Sequence, residues 1–460
     1  MNKLKIALVG AGSISFALGA LQDIVLSEKL QNLELEVALM DIESENVART
    51  YEYATKLFQA FDSKTKFFQT IELEEALAEA QFVITAIEVE RYLHWSQDFH
   101  IPRLFGSKQV YGENGGPGSM FHALRNMGPM LHIAKTMEKL CPDAWLLNYT
   151  NPEAKLVEAI SKLTNIKVVG LCHGMDMGID QLAEVLEMNR DEIEIEGGGL
   201  NHFGFFTKIK EKATGKDLYP LFKEKEQQAN RLAKFDHVGL SRTMYHIYGY
   251  YPYPGTNHCG EYVSYANDFY AGESLLFRYE PVMERLWESD SREADFVYCA
   301  NGNNLDKGLH EAGENQAQWH EAAYKFDREK VGKSSEYAIP IIEAIYFGEE
   351  IKLNAVNMQN NGAIKGLPDD MVVETSAIVN GQGITLLPMT VKLPTAIIGT
   401  IHIQGMIHQL LIEAFEEKSK TKLLQAILLD PQAPTYYQAC AMIDKMCETQ
   451  IDLLPKLEWK

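Results

Sequence analysis

The residues best suited to chemistry stand at the ends of short apolar runs. Gly10-Ala11-Gly12-Ser13 follows the run Leu4–Val9 and precedes an apolar helical pattern reaching about Leu26. A strand, a glycine turn and a helix in that order let backbone amides approach a pyrophosphate, and the helix N-terminus favours its charge. The position of a third fingerprint glycine holds Ser15. Asp41 comes just after the next run, Glu34–Leu39, where an acidic residue commonly bonds a ribose 2′-hydroxyl and favours NAD over NADP. Its separation from Ser15 is somewhat longer than the usual ~20 residues. Glu88 closes a third run, Phe82–Ile87. Gly10, Gly12, Ser13, Asp41 and Glu88 are therefore the expected contacts to a dinucleotide. An ordinary strand–helix turn without a ligand is the competing reading.

A second group follows the later runs. Ala144–Leu147 ends in Asn148-Tyr149-Thr150-Asn151-Pro152, and Ile166–Leu171 ends at Cys172-His173-Gly174. Strand ends of this kind hold ligands in α/β sheets. Taken alone, Cys172 also fits a small buried hydrophobe. His202 fits a hydrogen-bonded structural histidine, and its distance from Cys172 matches no local metal signature. Asn151 next to proline suits a turn. His173 titrates near neutral pH and suits proton transfer, or it orients the cysteine's loop. The aromatic-rich stretch Tyr248–Tyr265 fits a packing cluster or a sugar site, since both favour rings with polar tips.

Apolar runs alternating with helical periods, such as Ser44–Phe61 and Met120–Leu140, predict a parallel α/β sheet with right-handed crossovers. Beyond about residue 190 the pattern changes. Short strands surround Gly197-Gly198-Gly199, residues 215–345 read as mostly helical, and Tyr248–Tyr265 reads as a loop. Strands and turns fill 350–390, and helices fill 396–429 and 435–453. The expected class is α/β: a Rossmann-like doubly wound parallel sheet over 1–190, followed by an α+β domain over 191–460. That is the architecture of lactate and malate dehydrogenases. The chain has 460 residues, 46% hydrophobic and 23% charged, long enough for two large domains. A formal charge of −21 argues against nucleic acid and anionic membranes as partners. Six cysteines without CxxC spacing imply no disulfide framework. No apolar run reaches the ~18 residues of a membrane span. The apolar N-terminal stretch is too short for a signal peptide and runs into glycines. A cytoplasmic protein is expected.

Several stretches in order resemble glycoside hydrolase family 4, the NAD- and metal-dependent glycosidases. They are Gly10-Ala11-Gly12-Ser13; Asp98-Phe99-His100-Ile101-Pro102 with Glu113-Asn114-Gly115-Gly116-Pro117-Gly118 and His122-Ala123-Leu124-Arg125; Asn148–Pro152 with Gly170–Gly174; Gly199-Leu200-Asn201-His202; and Leu367-Pro368-Asp369-Asp370-Met371-Val372-Val373-Glu374. Together they cover nearly the whole chain. The loop Gly255–Tyr262 resembles the family's active-site H-x-x-E-F/Y loop, although Thr256 stands where some members carry an aspartate.

The resemblance implies NAD and Mn²⁺, or another divalent metal, as cofactors. It implies Cys172 and His202 as metal ligands, Asn151 and His258 as substrate contacts, His173 as general acid and Tyr262 as the nearest match to a tyrosine base. It also implies a small carbohydrate substrate, a homodimer or homotetramer, and 191–460 as the substrate, metal and oligomerisation domain. The motif Cys172-His173-Gly174 is that of members acting on non-phosphorylated α-glycosides, whereas phosphoglycosidase members typically carry aspartate after the cysteine. The implied reaction removes hydride from sugar C3 and a proton from C2. It then expels the C1 substituent, adds water and returns the hydride, unlike the two-carboxylate scheme of most glycosidases. An α-galacturonide or α-glucuronide substrate is an alternative within the family, and an NAD-dependent 2-hydroxy acid dehydrogenase is the alternative outside it.

Overall fold

The structure, a computed structural model, describes residues 3–14, 16–89, 91–228, 239–268, 280–281, 296–297 and 321–460. Ser15, Cys299 and much of the stretch expected to be helical over 215–345 lie outside the described residues, as do the side chains of Thr256 and Asn257.

Six strands form a parallel block: β1 (Lys3–Val9), β2 (Glu34–Met40), β3 (Lys66–Thr70), β4 (Phe82–Thr85), β5 (Trp145–Asn148) and β6 (Lys167–Gly170), in spatial order β3-β2-β1-β4-β5-β6. Registers such as Ala7↔Ala38, Ala7↔Val83 and Leu147↔Val169 align their carboxyl ends along one edge. β1 is buried from Leu4 to Val9 because helices cover both faces. Leu4, Ile6 and Leu8 meet the helices Ala17–Leu26, Ser44–Ala60 and Ala338–Phe347. Ala7 and Val9 meet the long helix Gly116–Leu140 and the helix Glu153–Leu163. That division is the period-2 alternation of a strand.

The sheet does not stop at β6. Tracing the chain on, β7 (Ile193–Leu200), β8 (Phe203–Glu211) and β9 (Tyr251–Tyr253) precede a two-residue pair, β10 (Glu280–Pro281) with β11 (Phe296–Val297). Then come β12 (Ile351–Gln359), β13 (Val372–Asn380) and β14 (Gly383–Leu386). β12 lies antiparallel to β6 through Asn357↔Gly170, and the sheet continues β12-β13-β7-β8-β9, twelve strands with β14 on β13. This continuity depends on pairing across nearly 190 positions, which no local pattern reports. The architecture is an α/β doubly wound sheet carrying an α+β second half.

Some expectations change. β4 ends at Thr85, so Ala86–Glu88 is loop. β3 is a half-buried edge strand whose pattern, KFFQT, alternates too weakly to be read as one. Arg91–Leu104 is an additional helix. Tyr248–Tyr265 is not one loop: it holds a helix end at Tyr248, β9 and a short helix, Thr256–Gly260. The helix Thr395–Glu417 is long and apolar enough to cross a membrane by length and composition. Its side carrying Ile397, Ile401, Ile407 and Leu411 is buried in the core, as in a core helix.

Candidate active site

The site lies along the carboxyl edge of the parallel strands. Where β1 ends, Gly10 takes φ +84°, and a Cβ there would overlap the carbonyl oxygen of Ala86, just past β4. Only glycine meets both conditions. The amides of Gly10 and Ala11 donate to the Met40 carbonyl at 2.9 Å. The Asp41 carboxylate accepts from the Gly12 amide at 2.8 Å and from the Glu43 amide at 3.0 Å, tying the turn to the end of β2. Acceptor capacity remains on both oxygens. A Cβ on Gly12 would stand 2.7 Å from Asn46 Cβ. The regular helix begins at Ala17. The turn faces the gap between β1 and β4, where the strand order reverses, which is where such sheets take nucleotides. Glu88 lies beside it, 2.7 Å from His122 Nε2 on the long helix.

The second group gathers after β5 and β6. The Asn151 side chain bridges two residues of the glycine-rich loop: its amide donates to Glu113 Oε1, and its oxygen accepts from Asn114 Nδ2, both at 3.4 Å. Cys172 follows β6 after Leu171, and the Asn201 side chain bonds its thiol. Burial, then the carboxyls of Glu374 and Glu153, push that thiol's pKa up. His173 precedes the helix Gly174–Leu186 with its side chain 46% exposed, its Nδ1 3.3 Å from Glu336 Oε1. That carboxylate raises the imidazole's pKa despite partial burial.

His202 arrives from the other half of the sheet. Leu200 pairs with Phe203, leaving Asn201-His202 as a two-residue hairpin turn in which His202 takes φ +66°. Its ring stands edge-on to His258, with centroids 4.3 Å apart. One ligand-capable atom each from Glu113, His202 and His258 lie within 4.8 Å of one another. Burial, then His202, push the pKa of His258 down to about 4, so its ring is neutral with a lone pair to give. Two imidazoles and a carboxylate suit a divalent transition metal; Cys172, expected as a ligand with His202, is not in this group, and its thiol bonds Asn201, the neighbour of His202 in the chain. The residues present therefore fit the metal that the sequence implied. The glycine cradle likewise fits a dinucleotide.

Three acidic residues were quoted in sequence motifs without a role: Glu113, Glu261 and Glu374. Glu261 has no exposed surface and accepts from the amides of Glu113, Asn114 and Gly115 at 2.7, 2.7 and 3.0 Å, and from His202 Nδ1 at 3.0 Å. Glu374 accepts from Asn201 and Asn357 at 3.1 and 3.0 Å, and burial raises it to about 7. Their motifs were visible in the sequence, but their joint position exists only after the chain closes.

Tyr262 is placed differently from a free base. Its hydroxyl, on a residue 2% exposed, donates between the Asn201 and Asn114 carbonyls at 3.0 and 3.2 Å. Burial, then the Glu261 charge, push its pKa well above the phenol range. The geometry makes it a tie between the hairpin and the glycine-rich loop.

The model of the family 4 glycosyl hydrolases matches residues 5–188, and that of the family 4 C-terminal domain matches residues 198–433. An α-glucosidase of Erwinia rhapontici is 31% identical over 453 residues, covering 93% of each chain. An α-galactosidase of Bacillus subtilis is 29% identical over 456 residues, covering 98% of this chain and 99% of its own. A 6-phospho-α-glucosidase from gut microorganisms, solved with NAD and Mn²⁺, shares the fold with a TM-score of 0.75 at 23% identity, covering 99% of this chain and 100% of its own. A lactate dehydrogenase of Eimeria maxima superposes more loosely, with a TM-score of 0.53 at 14% identity over 90% of this chain and 98% of its own. With both halves matched in order, the chain belongs to the family 4 glycosyl hydrolases.

Proposed function

We propose that the protein hydrolyses a small, non-phosphorylated α-glycoside, a glucoside or galactoside, with NAD and Mn²⁺ or a similar divalent metal as cofactors. The observation that carries this reading is the meeting of Glu113, His202 and His258 beside Asn151 and the Cys172-His173 pair, on the same sheet edge as the glycine cradle. When bound, NAD⁺ supplies hydride exchange at sugar C3, and the metal supplies polarisation of the neighbouring sugar oxygens.

The chain's own residues do the rest. Gly10, Gly12 and Ser13 admit the pyrophosphate, Asp41 offers its remaining lone pairs to the ribose, and Glu88 is steadied by His122. Cys172 and His202 would hold the metal. Glu113 is read as a further ligand, as is His258, which the resemblance had set against the substrate. Asn151 presents donor and acceptor to the sugar hydroxyls. His173, whose hold on a proton Glu336 strengthens, gives that proton to the departing oxygen.

The substrate class rests on two supports. The residue after Cys172 is histidine. Among the described residues, two buried cations near the site are committed: Arg125 holds Asp98 through two bonds, at 2.8 and 3.2 Å, and Lys155 donates to the Asn114 carbonyl. Neither serves as a clamp for a phosphate or carboxylate. The boundary near residue 190 is read as a division between nucleotide-holding and metal-holding halves, in line with the split between the two family matches. A reducing, cytoplasmic setting suits the Cys172 thiol, and assembly into a dimer or tetramer is part of the same reading.

The test is a panel of p-nitrophenyl α- and β-glycosides, their 6-phosphates and uronides, with NAD⁺, Mn²⁺ and a thiol reductant. Turnover of the plain α-glucoside or α-galactoside is expected. Preference for a 6-phosphate or a uronide would overturn the substrate assignment. Product formed in D₂O without deuterium at C2 would overturn the elimination route.

A further inference from the structure

We propose that Glu261 is the positioning residue that assembles the metal centre before any metal arrives. The inference rests on the reading of His202 as a metal ligand. The carboxylate is completely buried, and its two oxygens do different work. Oε1 gathers three consecutive amides, those of Glu113, Asn114 and Gly115. Oε2 meets His202 Nδ1.

Two consequences follow from chemistry. In its ionised form Glu261 can only accept from the ring nitrogen it faces, so Nδ1 carries the proton and the lone pair is on Nε2. Glu261 therefore selects the tautomer that can ligate. Three amides converging on one oxygen fix the backbone of Glu113, whose own carboxylate belongs to the cluster with His202 and His258. One side chain thus sets the separation between two ligands that come from loops far apart in sequence, Glu113 after the helix Arg91–Leu104 and His202 in the β7–β8 hairpin. Glu261 sits three residues after His258, at the end of the same short helix, so the third member of the cluster is anchored to the same point. Tyr262, next in the chain, reinforces the arrangement by bridging the Asn114 and Asn201 carbonyls.

The test uses the full chain and MnCl₂ as the probe. Mn²⁺ affinity is measured by titration calorimetry and by the electron paramagnetic resonance signal of the free ion. Glu261→Ala is expected to weaken Mn²⁺ binding by about 10–100-fold. Glu261→Gln keeps one acceptor oxygen, which serves the amides or the imidazole but not both, so an intermediate loss is expected. Co²⁺ bound to Glu261→Gln should show a shifted visible absorption band, because the ligand set is reoriented; a purely structural role would not move that band. In a cycle with His202→Ala, Glu261→Ala should cost less than it costs in the parent, because only its effect through Glu113 and His258 remains. NAD binding and near-UV circular dichroism report folding, and if the alanine variant does not fold, the glutamine variant decides. Binding within about twofold of the parent in the folded variants, or losses that add to that of His202→Ala, would overturn the proposal and leave the metal site standing. Failure of the parent to bind Mn²⁺, or binding unaffected by His202→Ala, would overturn the metal reading and this proposal with it.

Discussion

Replacing Tyr262 with phenylalanine separates two roles by magnitude. The change removes one hydroxyl that donates between the Asn201 and Asn114 carbonyls. Asn114 O keeps its bond from Lys155 Nζ, so only Asn201 O loses its partner at this position. A net hydrogen bond is worth about 1 kcal/mol, and an orphaned buried acceptor adds about another 1 kcal/mol. In a chain of this size, a loss of roughly 2 kcal/mol lowers the Tm by roughly 2–4 °C. A tie of this kind leaves proton transfer in place, so kcat on the best p-nitrophenyl α-glycoside should stay within about tenfold of the parent. Loss of a general base costs about 10²–10⁴-fold. The assay pairs thermal unfolding with the rate of deuterium uptake at sugar C2 in D₂O. If deuterium uptake fell more than 100-fold with the Tm and the NAD and Mn²⁺ affinities unchanged, Tyr262 would be the proton acceptor, and the argument from its hydrogen bonds would be refuted.

Three further outcomes follow from single positions. Gly10→Ala sets a Cβ against the Ala86 carbonyl at a φ of +84°; it should cost about 1–3 kcal/mol of stability and weaken NAD binding at least tenfold, both read by a thermal-shift titration with NAD. Asp430 is held at about 6 by burial, against the Gln432 amide, so the folded chain keeps a proton that the unfolded chain has lost above about 4. Its contribution to stability is present below that pH and is lost as pH rises to about 6, by up to about 3 kcal/mol, and Asp430→Asn should flatten the Tm profile in that window. Removing the metal with a chelator should abolish turnover, with Mn²⁺ restoring it in the parent. In Glu113→Gln, restoration should need at least tenfold more Mn²⁺, and an unchanged requirement would exclude Glu113 as a ligand.

The sequence determined most of the parallel block and the strand-end edge on which the candidate residues stand, because both are local. β1, β2, β5 and β6 are apolar runs with clear ends, and Gly10, Asp41, Asn151 and Cys172 are simply the residues that follow such runs. Motif order was enough to carry the family resemblance. Tertiary structure decided what happens when separate loops converge. No periodicity places β12 beside β6, since Asn357 and Gly170 pair across nearly 190 positions. Glu261 read as one letter of a loop motif, yet a fully buried carboxylate must find donors, and it found them in three amides of one segment and an imidazole of another. Tyr262 shows the same limit from the other side. Its residue type and motif fitted a base, but whether a phenol keeps its proton depends on burial and on the partners of its hydroxyl, and those are set only when the hairpin and the glycine-rich loop meet.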